Sequence, residues 1–400
     1  LPLGTKRKFR NSRLFKGVKM IYYFPLESLK SRYTHQLSTK WMPQAFEKTT
    51  GLYHAVDGQY EQGDVSVGMV LDAVGRGIYS MRQCQYLLEW IQKGNVQSGD
   101  IVYLQDYWTP GIESIFYACD LYGINLKFYA RCWAQSVDEY DFTYNMKNWM
   151  RHYELGLDER LSGIFVGSTV NRDELKAAGF KTPIHVTSLP INFDEIKSYH
   201  PKKVDKEKII ISSSRLDWEK NPMFMMNVAK QFLEKHKDWK WIFTTSAKQL
   251  RSNDKFIIDT IQELGKTEKR FVVKTNLSKS EYYEILNKSS IQFNSALQDY
   301  VSFTLLEATT YGCDVVYPNF KSFPECVPSD RLYDAFDVNS ALKVLESVID
   351  NPRTHFDIPK LSSIGTLMDA YIIGNGMDRE INIWNESEYW EQFLKERDIL

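Results

Sequence analysis

Ser295-Ala-Leu-Gln-Asp-Tyr-Val-Ser-Phe-Thr-Leu-Leu-Glu-Ala-Thr-Thr-Tyr-Gly312 follows the apolar run Ile291-Gln-Phe-Asn294. The run reads as a buried strand. A short polar loop carrying Asp299 comes next, then a helix that Ser302 can cap and that Gly312, suited to a left-handed backbone, can close. A helix beginning at the end of a parallel strand turns free N–H groups and its positive dipole end toward the loop, so the start at Ser302 and Phe303 reads as an anion site. Asp299 and Glu307 stand eight residues apart, the first in the loop and the second one or two turns into the helix. Two carboxylates repel a phosphate, but they accept hydrogen bonds from neutral sugar hydroxyls. An anion site flanked by such acceptors outlines a nucleotide-sugar pocket; a solvated helix face is the other reading of the acid pair alone.

The rest of the chain supplies the frame. Four hundred residues suit two domains, and no apolar run reaches the ~18 residues of a membrane span. A net charge of -1 gives no overall field for a nucleic acid, so such a surface must be local. Five cysteines with no C-x-x-C fit reduced thiols in a cytoplasmic compartment. Residues 1–19 hold seven Lys/Arg and no acid. Met20 directly ahead of the first strand reads as a natural start after an added segment; a basic arm for an anionic partner is the alternative. Strands at 20–24, 100–105, 126–130, 161–168 and 184–187 alternate with helices, and residues 199–208 read as a charged linker. A second series places strands at 208–214, 240–245, 270–274, 291–294 and 314–318. Two such series predict an α/β protein of two Rossmann-like, doubly wound domains facing a cleft, at 20–198 and 209–385, with a last helix at 386–397.

Ser214-Arg-Leu-Asp-Trp-Glu-Lys-Asn-Pro222 stands directly after the strand that opens the second series. Arg215 offers a planar fork and Lys220 a point charge at one strand-to-helix turn; as plain structure they are charges on a surface loop. No Asp-x-Asp and no H-E-x-x-H occurs, so no metal is expected.

Residues 299–312 resemble the E-x7-E signature of retaining glycosyltransferases with the two-domain GT-B fold, and residues 214–221 resemble that family's G-R-L-x-x-x-K-G/N segment. Ser214 replaces Gly, Ser302 stands where Gly is usual, and Asp299 is about one methylene shorter than the usual Glu. The resemblance implies that Glu307 binds the donor ribose and Asp299 the donor sugar. It implies that Arg215 and Lys220 neutralise the leaving diphosphate of a nucleotide-sugar, with a UDP-sugar as the expected donor. It also implies that helix 386–397 packs back on the first domain. Glu325, in Phe320-Lys-Ser-Phe-Pro-Glu325, aligns with a position beside the nucleotide base or ribose; a surface acid fits equally.

Relatives often carry a His after the strand at 126–130, where this chain has Cys132-Trp133-Ala134. Asp106, Asp138 and Asp141 lie in loops at strand ends, where α/β sheets bind ligands. Any of them could orient or deprotonate an acceptor hydroxyl, Asp138 being assigned that catalytic place; helix capping is the alternative for Asp138 and Asp141. Trp108 and Trp133 read as acceptor-stacking aromatics or as core. Residues 107–113 and 134–142 are similar to phage-type enzymes that glycosylate hydroxymethylated cytosine, which implies a double-stranded DNA acceptor. Arg10, Arg13, Lys30, Arg32 and Arg131 would then supply phosphate contacts. A nucleotide-sugar 2-epimerase of the same fold is the rival reading, and a small molecule, lipid or polysaccharide acceptor stays open.

Overall fold

The β-branched and aromatic runs pair as two six-stranded, wholly parallel sheets, in the orders β2-β1-β3-β4-β5-β6 and β12-β11-β10-β7-β8-β9. The computed structural model describes residues 19–26, 33–60, 72–245, 247–377 and 379–400. Arg10, Arg13, Lys30 and Arg32 lie outside them. The first sheet holds β1 (Ile21–Phe24), β2 (Tyr53–Ala55), β3 (Ile101–Leu104), β4 (Lys127–Arg131), β5 (Leu161–Val166) and β6 (Ile184–Val186). The second holds β7 (Glu207–Ser213), β8 (Lys240–Thr245), β9 (Phe271–Thr275), β10 (Ser289–Phe293), β11 (Asp314–Pro318) and β12 (Leu332–Tyr333).

Helices α1 (Tyr33–Gln36), α2 (Met42–Thr49), α3 (Ala73–Gln92), α4 (Ile112–Tyr122), α5 (Lys147–Asp158) and α6 (Thr169–Ala177) belong to the first domain, and α7 (Phe193–Tyr199) leads out of it. Helices α8 (Pro222–Lys235), α9 (Lys255–Thr267), α10 (Lys279–Lys288), α11 (Phe303–Thr310), α12 (Phe323–Cys326) and α13 (Val338–Asp350) serve the second; α14 (Ile358–Asn375) and α15 (Ser387–Lys395) close the chain.

Both faces of the first sheet are apolar because helices cover both. Along β1 and β3, Ile21, Tyr23, Ile101 and Tyr103 point into a core shared with the second domain, while Tyr22, Phe24, Val102 and Leu104 point to an outer layer. The shared core takes in Leu305 and Leu306 of α11 and Ile364, Met368 and Ile372 of α14, so one apolar body joins the two units. The return to the first domain begins at α14, which packs on α2 and β3, well before the helix expected at 386–397. Gly365 permits this: a Cβ there would lie 1.9 Å from the Thr187 carbonyl oxygen.

In each sheet the strand order reverses beside the first strand, between β1 and β3 and between β7 and β10. The carboxyl ends at such a reversal diverge and leave a crevice, where open α/β sheets bind ligands. The loop after β7 carries Arg215 and the loop after β10 carries Asp299, so both segments singled out in the sequence flank the second sheet's crevice.

Candidate active site

Ser302 takes the extended backbone of a helix cap, but its hydroxyl pairs with Thr304 Oγ1 at 2.8 Å rather than with a first-turn N–H. The start of α11 therefore has no side-chain cap. Gly312 ends the helix at φ +74°, the left-handed conformation its position called for.

The loop after β7 is stitched to the loop after β10. Leu297 N donates to the Glu219 carbonyl at 2.7 Å, and Ser295 Oγ to the Lys220 carbonyl at 2.8 Å. Asn221, left-handed at φ +49°, turns the chain into Pro222 at the first position of α8. This holds Lys220 Nζ 2.6 Å from the Gln298 carbonyl and 3.2 Å from Asp299 Oδ1. Arg215 bonds Asp217, and Glu219 at 2.7 Å, with its side chain 37 % exposed. Burial pushes the Asp299 carboxyl up from its usual range while the Lys220 charge pulls against it. Ser214, half-buried, continues the sheet through its N–H to the Thr244 carbonyl.

Glu307 lies where the sequence put it, within α11 and buried. Its Oε1 accepts from Lys279 Nζ at 3.0 Å and the Tyr283 hydroxyl at 2.9 Å, both on α10. Neither partner was foreseen. The capping box at Ser278 and Glu281 marks the start of α10, yet only the fold brings that helix against α11.

Three assignments change, two on the first domain and one on the second. Arg131 is fully buried. It donates to the Ser188 carbonyl (2.7 Å) and Thr187 Oγ1 (2.9 Å) and pairs with Asp369 of α14, so it fastens the returning helix and faces no acceptor. Asp138 is also buried, bonded to Lys321 and to the Tyr300 hydroxyl of the second domain, which leaves it no free oxygen for an acceptor. Glu325, expected beside the nucleotide, turns instead to the first domain: its two oxygens accept from Thr169 N and Val170 N of α6.

Asp106 accepts from Trp108 N at 3.2 Å and shapes the turn after β3. Trp108 packs into the outer layer against Trp149 and Tyr153. Trp133 crosses to the second domain, its ring stacked at 25° and 6.3 Å on Phe303 at the start of α11. Asp141 accepts from Thr143 N and Oγ1 as a cap, and from Gln298 Nε2 at 3.4 Å across the cleft.

Burial pushes the Asp141 carboxyl up to about 7, aided by the nearby Asp138 charge and opposed by Thr143 and Lys220. Because the folded state holds this proton more tightly than the unfolded state, the stability that Asp141 contributes is fully present below the carboxyl's ordinary range and is lost as pH rises through about 7. Asp141→Asn is expected to flatten that fall, which thermal unfolding from pH 4 to pH 8 measures.

Residues 194–360 match the family described as glycosyl transferases group 1. The span contains Arg215, Lys220, Asp299, Glu307 and both stitched loops. The likeness to that family is confined to this span. A stretch of 172 residues is 26 % identical to the tRNA-queuosine alpha-mannosyltransferase of Drosophila melanogaster, covering 43 % of this chain and 44 % of that protein. The chain thus spans less than half the length of that relative. Over its whole length the fold is similar to sucrose-phosphate synthase from Thermosynechococcus elongatus (TM-score 0.61, 10 % identity, 95 % of this chain and 99 % of that one). It is also similar to trehalose-6-phosphate synthase (TM-score 0.58, 12 % identity, 94 % and 98 %). These likenesses establish the two-domain GT-B fold. Among the described residues no helix is long and apolar enough to cross a membrane.

Proposed function

We propose that this chain is a retaining glycosyltransferase that moves a sugar from a nucleotide-diphosphate sugar to a hydroxyl carried by a modified base in nucleic acid, with a hydroxymethylated pyrimidine in DNA as the favoured acceptor. The observation that carries the donor half is the juxtaposition of Arg215, Lys220 and the uncapped start of α11 at one strand reversal. All three present positive charge to one crevice, where a departing diphosphate builds up negative charge. Asp217, Glu219, Gln298 and Asp299 hold Arg215 and Lys220 at the crevice, so the two charges are preorganised there.

On binding, the diphosphate takes over the two cations. Asp299, released from Lys220, accepts from a donor-sugar hydroxyl. Lys279, whose side chain is 31 % exposed, swings off Glu307 to admit the ribose hydroxyls. Asp141, with Gln298 its one partner across the cleft, is the carboxylate placed to accept the acceptor hydroxyl's proton. The stacked Trp133 and Phe303 offer an aromatic wall for the acceptor base. A nucleic-acid acceptor gains support from the Drosophila relative, whose name sets its activity on a modified tRNA base.

The test offers labelled UDP- and GDP-sugars with hydroxymethylcytosine DNA, unmodified DNA and queuosine-bearing tRNA, followed by nucleoside mass analysis. Label on the modified DNA base, undiminished by a chelator, is the expected result. Label on the tRNA alone would move the acceptor to RNA. A donor converted to a new nucleotide-sugar without any acceptor would make the enzyme an epimerase.

A further inference from the structure

The loop between β11 and α12 belongs to the second domain, yet its side chains end in the first. Lys321 Nζ lies 2.5 Å from Asp138 Oδ1 and 2.9 Å from Glu174 Oε1. The Tyr300 hydroxyl meets the other oxygens of the same two acids, at 2.9 Å on Asp138 and 3.2 Å on Glu174. Four residues on from Lys321, the Glu325 carboxylate spans Thr169 N (2.7 Å) and Val170 N (2.9 Å) at the start of α6. Asp138 has no exposed side-chain surface and Lys321 retains 16 %, so these are not rim charges that water would screen. The buried Asp138 carboxylate and the partly exposed Glu174 carboxylate (27 %) repel unless a cation sits between them, and Lys321 is that cation.

The backbone says the same. Lys321 is left-handed at φ +46°, a conformation disfavoured for a residue with a Cβ, so contacts beyond the loop must hold it there. Tyr140 of the first domain packs against Trp218 and Phe320 of the second, with the Lys321 ammonium 5.4 Å over its ring. The same loop reaches back to the donor crevice, where Ser322 Oγ donates to the Asp299 carbonyl at 2.5 Å.

We propose that Lys321, with Tyr300 and Glu325, is an interdomain latch that positions the first domain's 132–142 loop, and with it Asp141, over Lys220 and Asp299. These are positioning residues; none of the three contacts Arg215 or Lys220. The kinetic arm of the test rests on the transferase reading, and the distance arm does not.

Lys321→Gly suits the left-handed backbone and removes only the side chain, so the fold should survive it. The five native cysteines are buried, which leaves probes on Lys181→Cys and Lys343→Cys, one exposed site in each domain, free to report the interdomain distance. In the full chain, Lys321→Gly is expected to lengthen and broaden that distance distribution, and Lys321→Arg to keep it. Turnover should fall roughly 10- to 100-fold in Lys321→Gly, as expected when a catalytic group is misplaced. Nucleotide-sugar affinity should stay within about threefold, because the Arg215/Lys220 contacts are intact, and Lys321→Arg should recover most of the turnover. An unchanged distance distribution in Lys321→Gly would overturn the latch, as would a loss of donor affinity equal to the loss of turnover. If the unsubstituted chain transfers to no acceptor, the transferase reading fails while the distance measurement still decides the latch.

Discussion

Lys220→Met is expected to lower sugar transfer by roughly 10²–10³, equivalent to about 3–4 kcal/mol of barrier, the cost of losing one preorganised charge at a developing anion. Lys220 is held rigidly by Gln298 and Asp299, and its backbone is fixed by Ser295 and the left-handed Asn221, so its charge needs no reorganisation when the diphosphate departs. Met keeps most of the buried stem and separates loss of charge from loss of packing. The loss should fall mainly on kcat, with a smaller change in donor affinity, since the interaction strengthens as the bond breaks. Arg215→Met should lose comparable rate but more donor affinity, because on the proposed reading its half-exposed fork would meet the diphosphate before reaction. Steady-state kinetics with labelled donor, alongside calorimetric donor binding, measure both. A Lys220→Met variant with unchanged kcat would place the chemistry elsewhere.

The second large effect concerns stability. Arg131 and Asp369 are fully buried, and their pair joins β4 of the first domain to α14. Removing one partner strands a charge in an apolar surrounding, so Asp369→Leu is expected to destabilise the protein by about 3–5 kcal/mol. Burial pushes the Asp369 carboxyl up, against the pull of Arg131, and removing the guanidinium leaves the burial opposed only by the Thr187 hydrogen bond. Arg131→Met should cost a similar amount, with Asp369 able to take up a proton and recover part of it. The double variant Arg131→Met/Asp369→Leu should cost much less than the two single losses added together, because no charge remains unpaired. Denaturant unfolding of the four proteins gives the coupling directly.

The parts of the site that were legible in the sequence are those whose meaning is local. Ser302 before an apolar run and Gly312 after it mark the ends of α11, and the Asp299–Glu307 spacing follows from the helix between them. Arg215 and Lys220 were legible because one turn carries both. The reassigned residues all act on partners far away in the sequence. Asp138 meets Lys321 and Tyr300 more than 160 residues away, Glu325 meets α6 across about 155, and Arg131 meets Asp369 across 238. No periodicity records such a partner. An acid in a loop at a strand end looks the same whether it faces a substrate or a lysine from another domain.

Helix α14 went unread for a related reason. It is apolar around most of its circumference because it is buried against α2, α11 and α15, so it lacks the polar face that reveals a surface helix. Its glycines and serines suggest a loop, although Gly365 is there for close approach to Thr187. Helix α5 is hard to read because its amphipathic pattern follows a turn-rich stretch, where Asp138 and Asp141 fit ligands and caps equally.

The central claim is that the donor diphosphate lies at the strand reversal between β7 and β10. A crystal structure with a bound nucleotide-sugar tests it most directly. The account predicts the β-phosphate within hydrogen-bonding distance of Arg215, Lys220 and the first N–H groups of α11, with Glu307 on the ribose and Lys279 displaced. A diphosphate bound elsewhere, with Arg215 still held by Asp217 and Glu219 and Lys220 by Asp299, would contradict it.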